Sequence, residues 1–172
     1  MSANALFPAD FILIAAMNPT RGGDEKGEYA HQMIETYKHK ISGPILDRID
    51  LWLQVPHVDY DTLTEKKNPT SNTSETDLVR EKILRARERQ AKRFAHSGIL
   101  TNGEMSARDI ETFIEMSTSV REILKKSAEK LALSPRSYHR LIKVSRTIAD
   151  LDNKDSIEES HVLEALHYRT KT

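Results

Sequence analysis

The stretch that decides the fold reads LSPRSYHRLIKVSRTIADL and runs from residue 133 to residue 151. It opens on the pair Ser134-Pro135, which is a helix-start signal. A serine hydroxyl can cap the first turn, and proline at the first helical position lacks only an N–H that would have no partner there. The stretch therefore predicts a helix whose first turn carries Arg136.

The sequence around this stretch continues the helical pattern. Three more helix starts carry the capping-box spacing, a serine followed three residues later by an acid: Ser74 with Asp77, Ser106 with Asp109, and Ser156 with Glu159. Residues 75–172 are therefore predicted to form a bundle of about four or five helices.

The first third of the chain has a different pattern. The apolar run Phe11 to Met17 suits a strand buried on both faces, and Ile49 to Val55 alternates apolar and polar residues as a strand does. Between them, Glu28 to Lys40 is compatible with a helix. We predict a sheet-bearing part over residues 1–56, a polar linker over 57–74, and a helical domain over 75–172.

Composition excludes several classes of protein. The 172 residues include no cysteine, which rules out disulfides and cysteine-ligated zinc, and the seven histidines share no metal-ligand spacing, so we expect no metal site. Lysine and arginine together equal aspartate and glutamate at 26 each, so net charge favours no particular partner. The longest apolar run has seven residues, against about 20 for a membrane span. We expect a cytoplasmic protein that does not contact membranes.

Two polar residues occupy positions suited to anion chemistry. Asn18 ends the first predicted strand, where an amide can hydrogen-bond a phosphate or an attacking water; the alternative is an Asn-Pro turn. Arg136 lies in the first turn of its predicted helix, where positive charge opposes the helix dipole. That position suggests an anionic ligand, and the alternative is an arginine that extends into solvent.

A third candidate, Arg48, lies between a turn and the second predicted strand. An arginine with apolar neighbours at the edge of an element needs a counter-charge. An ion pair with Asp47 or Asp50 would supply one.

Five motifs together resemble the Mg-chelatase-like branch of the AAA+ ATPases, particularly its bacterial competence-associated subfamily. They are AAMNP at 15–19, SGPILDRID at 42–50, SPRSYHR at 134–140, RTIADL at 146–151 and ALHYR at 165–169. The resemblance implies a mostly α chain: the carboxy-terminal fragment of an α/β AAA+ core followed by a helical lid bundle. It further implies that Asn18 is sensor 1, Arg48 the arginine finger and Arg136 sensor 2, with Asn18 and Arg136 contacting the nucleotide.

The same resemblance implies ATP and Mg²⁺ as cofactors of the full-length protein. Because an arginine finger acts on a neighbouring subunit, it also implies a ring oligomer, usually a hexamer. This chain departs from the pattern, since it contains neither the Gly-x-x-x-x-Gly-Lys-Ser/Thr loop (Walker A) nor an acidic pair at a strand end (Walker B). We therefore expect no ATP hydrolysis by this stretch alone. The predicted strands would have bare edges, so we expect residues before about Pro56 to be rearranged, swapped between copies or partly disordered.

Three functions remain open at this point. The first is an ATPase motor that remodels DNA or a protein partner, and the second is the ATPase subunit of a metal chelatase acting on porphyrins. The third is a non-catalytic helical module that binds DNA or protein. DNA is a candidate partner because the predicted helix over 75–95 is rich in basic residues, although Glu81 and Glu88 dilute their charge. A second basic run, over 121–146, precedes an acidic one over 150–164.

Overall fold

The computed structural model describes residues 11–16, 48–53, 55 and 74–169. The chain divides into two units, Met1–Leu46 and Asp47–Thr172. The helices of the described residues all lie in the second unit: α1 Glu75–Arg93, a 3-10 turn Asn102–Glu104, α2 Ala107–Phe113, α3 Thr118–Lys130, α4 Pro135–Leu151 and α5 Glu159–His167. The prediction of four or five helices after residue 74 is confirmed.

Two of the predicted helix starts form as the sequence indicates. Ser134 caps α4, its hydroxyl accepting a hydrogen bond from the main-chain N–H of Ser137 at 3.2 Å, with Pro135 as the first helical residue. Ser106 and Asp109 form a reciprocal capping box at the start of α2, with bonds of 3.3 and 2.7 Å. In each case a main-chain N–H group that has no hydrogen-bond partner within the helix donates to a side-chain oxygen.

The other two starts differ from the prediction. Ser74 caps α1, but its hydroxyl accepts from the N–H of Thr76 at 3.3 Å, and Asp77 does not reciprocate. The predicted box of Ser156 with Glu159 is wrong, because α5 is capped by Glu158. There the ring Nδ1 of His161 accepts the Glu158 N–H at 2.9 Å, which shifts the start of the helix.

Helix α4 is the centre of the bundle. It packs against α1, the 3-10 turn, α2 and α5, while α3 packs against α5. Leu141, Ile142 and Ile148 project from it into the core, where burying one large aliphatic side chain stabilises the fold by about 1.5 to 3 kcal/mol. The other core side chains are Phe94, Met105, Ile110, Ile114, Val120, Leu124, Ile157, Val162 and Ala165.

Neither predicted strand forms in the residues that the structure describes. Phe11, Ile12, Leu13 and Ile14 are 68–90% exposed, which contradicts a strand buried on both faces. In the second segment, the main-chain N–H of Trp52 donates to the carbonyl of Tyr168 at 2.8 Å. Alternation of residue types gives a segment two faces, but a strand also needs a neighbouring strand to pair with. Here a helix terminus takes the hydrogen bond instead.

Several predictions fall on residues outside the described ranges. They are the helix over Glu28 to Lys40, most of the linker over 57–74, and Asn18. Among the helices that the structure does describe, none is long and apolar enough to cross a membrane.

Candidate functional site

Arg136 lies where the sequence predicts, exposed in the first turn of α4. Hydrogen bonds and burial fix the turn that carries Arg136. Ser134 caps the helix, and the buried Ser137 follows Arg136 directly. In addition, the N–H of Leu133 donates to the carbonyl of Ala128 in α3 at 2.9 Å. Arg136 is therefore exposed on a turn whose backbone is fixed by hydrogen bonds.

Arg48 lies in a segment that is fastened to the helical bundle. Two residues after this exposed arginine, Asp50 places its carboxylate oxygen Oδ1 at 3.0 Å from Nη1 of Arg140 in α4. The Trp52 hydrogen bond to Tyr168 ties the same segment to the end of α5. Because Arg140 follows Arg136 by one helical turn, the structure brings the Arg48 segment to the face of α4 that carries Arg136.

That face of α4 carries a third basic side chain, Lys143. Arg136, Arg140 and Lys143 are spaced four and three residues apart, so they share one face of the helix. Burial lowers the pKa of Lys143, and the charges of Arg140 and Arg136 add to this effect while Asp50 opposes it. Lys143 Nζ donates to the carbonyl of Gly103 at 2.9 Å. Asp50 pairs with Arg140 and the Gly103 carbonyl accepts from Lys143, so the exposed Arg136 is the member of this face that suits an anion such as a phosphate.

Sequence reasoning did not identify Asp50, Arg140 or Lys143 as a group. The signal for Arg140 and Lys143 was their helical spacing from Arg136. The sequence suggests Asp50 as a partner for Arg48, and the structure pairs its carboxylate with Arg140.

A second charged cluster is built around Asp150, which is fully buried at 0% exposure. Arg93 of α1 donates two hydrogen bonds to its carboxylate, at 2.9 and 2.5 Å. Asn102 of the 3-10 turn donates a third at 2.8 Å, and Arg146 a fourth at 3.0 Å. One carboxylate thus joins α1, the 3-10 turn and α4.

Two further contacts extend this Asp150 cluster to the turn between α4 and α5. Arg146 donates to the main-chain carbonyls of Asp155 and Lys154 at 2.7 and 2.6 Å. Arg89 pairs with Asp155 and donates to the side chain of Asn153. Within the described residues, the cluster therefore joins α1, the 3-10 turn and α4 to the turn between α4 and α5.

The pKa of Asp150 reflects this competition between burial and pairing. Burial acts to raise it, but the hydrogen bonds from Arg93 and Asn102 and the charge of Arg146 outweigh burial. The net effect holds the pKa of Asp150 below its ordinary value. Asp150 is therefore an ionised partner for the arginines at neutral pH.

Several of the basic residues that are candidates for DNA binding form ion pairs with acidic residues. In α1, Arg80 lies 3.8 Å from Asp77 and Arg85 lies 3.0 Å from Glu81. Arg93 and Arg146 belong to the buried Asp150 cluster. The basic runs of the sequence therefore do not form one continuous basic surface in the described part of the chain.

The described residues also form an open cavity of about 330 Å³ between α1, the 3-10 turn and α4. Its lining combines three apolar side chains with polar and charged ones: Ile83, Ala86, Leu151, Arg87, Gln90, Thr101, Asn102 and Thr147. It contains neither Arg48 nor Arg136. Within the described ranges, no three histidine, aspartate or glutamate side chains are grouped to hold a metal ion.

Two models of one protein family match the chain along most of its length. Residues 73–169 match the carboxy-terminal region of magnesium chelatase, subunit ChlI, and residues 1–63 match magnesium chelatase, subunit ChlI. Competence protein ComM of Haemophilus influenzae is 40% identical to the chain over 98% of its length. Proteins called YifB in Escherichia coli and Salmonella typhimurium are 35% and 34% identical over 97% of it. The chain spans about a third, 32%, of the length of each of these relatives.

Proposed function

The chain belongs to the magnesium chelatase subunit ChlI family, and from this premise we propose that it is the carboxy-terminal portion of an AAA+ ATPase motor. The motor would couple ATP hydrolysis to the remodelling of DNA or a protein partner. In the full-length protein, residues 1–56 would complete the α/β core that binds ATP and Mg²⁺. The helical bundle after residue 74 would form the lid over that core.

Three residues carry the proposed chemistry. Asn18 would orient the attacking water, and Arg136 would neutralise charge on the nucleotide phosphates. Arg48 would reach the nucleotide of a neighbouring subunit in a ring, where an arginine finger accelerates hydrolysis by about 10³ to 10⁵. The protein would therefore act as an oligomer, most simply a hexamer.

The observation that supports this proposal best is the placement of Arg136. It stands exposed at the amino-terminal end of α4, on a turn fixed by Ser134 and Ser137, and one helical turn from Arg140. A purely structural arginine in a first turn would be disfavoured by the helix dipole. A bound phosphate would offset this repulsion, because its negative charge attracts the arginine and also attracts the N–H groups at the start of the helix.

Replacing Arg48 in the full-length protein tests the proposal most directly. Arg48→Ala should reduce ATP turnover by at least about 10³-fold, because the finger acts in the transition state. Binding of a fluorescent ATP analogue should stay within about twofold, since a subunit does not hold its own nucleotide with this residue. Steady-state phosphate release and fluorescence titration measure the two quantities.

Lys125→Ala serves as a matched control. Lys125 is an exposed cation of α3 that lies 4.0 Å from Glu129, and its removal should leave turnover unchanged. Equal turnover in Arg48→Ala and the wild type would exclude the finger role. A wild-type protein that binds no ATP would exclude the motor and favour the non-catalytic binding module.

We propose DNA as the substrate of the motor, in preference to a porphyrin. The support is the number of basic residues in α1, together with the likeness to a Haemophilus influenzae relative that is named a competence protein and not a chelatase. Binding of single-stranded and double-stranded DNA to the full-length protein should weaken steeply with salt, because lysine and arginine contacts to phosphate release counterions. Salt-independent or absent DNA binding, together with porphyrin binding, would favour the chelatase function.

A further inference from the structure

We infer that the ion pair between Asp50 and Arg140 positions the segment that carries Arg48. The inference rests on the proposed function, because it gives Arg48 its role as the finger. Asp50 and Arg140 would then be positioning residues: they touch no nucleotide themselves, but they hold the arginine that does.

The geometry of the segment is the first support. Residues 49–53 form no strand in the described part of the chain, so pairing with a neighbouring strand does not fix the segment there. The segment is tied down two and four residues after Arg48. Asp50 reaches Arg140 at 3.0 Å, and the Trp52 N–H reaches the Tyr168 carbonyl at 2.8 Å. With two fixed points so close, the direction of the chain at Arg48 is restricted.

The charge distribution is the second support. Asp50 is a carboxylate that faces the basic stripe of Arg136, Arg140 and Lys143. Its charge and that of Asp109 act to raise the pKa of Lys143, but burial and the two arginines outweigh them and lower it. A positive residue at position 50 would face three cations instead. The negative charge of Asp50 therefore complements the stripe, and a positive charge at this position would be repelled by it.

The strength of the contact sets the size of the expected effect. The Asp50 side chain is 57% exposed, and a partly exposed ion pair changes an equilibrium by no more than about fivefold. Loss of the pair should therefore leave the segment attached by the Trp52 bond for part of the time. Charge reversal should detach it more completely, because it adds repulsion to the loss of attraction.

Trp52 is the only tryptophan of the chain, and it lies in the segment, half-buried. Its fluorescence reports whether the segment is attached. In this chain, Asp50→Asn should increase quenching of Trp52 by acrylamide, and Asp50→Arg should increase it further. The double variant Asp50→Arg with Arg140→Asp should restore the wild-type value. Glu122→Gln is the matched control, since this carboxylate is 63% exposed and pairs with Lys126 on the surface of α3.

Circular dichroism separates loss of attachment from loss of folding. Asp50 is exposed, so helix content should be unchanged in its variants. Unchanged quenching in Asp50→Asn and Asp50→Arg, with intact helices, would overturn the inference. Increased quenching that the double variant does not reverse would overturn it as well, because the pair itself would not be the cause.

ATP turnover in the full-length protein tests what the attachment does. Asp50→Asn should lower kcat by up to about fivefold and leave the Kd for ATP unchanged, and the double variant should recover kcat. Changed quenching with an unchanged kcat would overturn the positioning role. A wild-type protein without ATP turnover would refute the proposed function, and the quenching result alone would then decide whether the pair holds the segment.

Discussion

Asp150 shows how one buried carboxylate can organise several elements. Arg93 and Arg146 both bond to it, and Arg89 approaches within 3.8 Å, so positive charge around it exceeds its own negative charge. The Nε atoms of Arg89 and Arg146 are buried without a hydrogen-bond partner in the described part of the molecule. Removing the carboxylate would therefore leave the guanidinium groups of Arg93 and Arg146 without this counter-charge.

We expect Asp150→Asn to destabilise the fold by about 3 kcal/mol, because breaking a buried ion pair by removing one partner costs this much or more. Chemical denaturation at pH 7, followed by circular dichroism, measures the change. Glu122→Gln is the control at an exposed pair and should change the free energy of unfolding by less than about 0.5 kcal/mol. Similar losses in the two variants would mean that the Asp150 cluster contributes little to stability.

The stabilising effect of Asp150 should also depend on pH. The pKa of Asp150 is held below its ordinary value in the folded state, so its ionised form stabilises the fold above the unfolded pKa of about 3.9. This contribution is lost as the pH falls through the lower, folded pKa. The difference in unfolding free energy between wild type and Asp150→Asn should thus be constant from about pH 7 to 5 and narrow below about pH 4. A constant difference down to pH 3 would contradict the assignment.

Residue-level features could be predicted from the sequence only where their cause is local. The position of Arg136 in the first turn of α4 follows from the neighbouring Ser134 and Pro135, and the sequence predicts it. The pairing of Asp50 with Arg140 depends on two segments that are far apart along the chain, and no local pattern indicates it. The same holds for the bonds that Asp150 accepts from Arg93 of α1 and Asn102 of the 3-10 turn.

At the scale of elements, the junction between α3 and α4 contains a strained residue. Ala132 has φ of +46°, in the left-handed region that glycine adopts more easily than alanine. Its N–H bonds to Glu129 and that of Leu133 to Ala128, as in a helix ending that normally uses glycine. The chain accepts this strain at the turn that leads into Arg136.

Ala132→Gly should therefore stabilise the chain by about 0.5 to 1 kcal/mol, the relief of left-handed strain exceeding the entropy that glycine adds to the unfolded state. Ala91→Gly is the control, because Ala91 is exposed within helix α1, where glycine should destabilise by up to about 1 kcal/mol. Thermal or chemical unfolding measures both. Destabilisation by Ala132→Gly would show that this residue is not strained.

The helices were more predictable than the strands for a physical reason. A helix satisfies its hydrogen bonds within one segment, so caps such as Ser106 and Ser134 mark its start in the sequence. The predicted start of α5 is wrong because His161, and not an acidic residue, accepts the main-chain hydrogen bond of the capping box. A strand depends on a partner elsewhere, and the alternation of residues 49–55 carries no information about that partner.

At the scale of the whole molecule, the proposed finger requires a neighbouring subunit. Specific ATPase activity of the full-length protein should therefore rise with protein concentration and reach a plateau as subunits assemble. The Arg48→Ala variant should assemble over the same range, measured by sedimentation, yet remain inactive. A specific activity that is independent of concentration down to the monomer would contradict a finger supplied by a neighbour.

Several contacts that fix the architecture are made to main-chain atoms. Arg146 bonds to the carbonyls of Lys154 and Asp155, Lys143 to that of Gly103, and the Trp52 N–H to that of Tyr168. A carbonyl is present whatever side chain its residue bears. Evolutionary drift at the accepting positions can therefore proceed without loosening the turn between α4 and α5, provided that the backbone keeps its course.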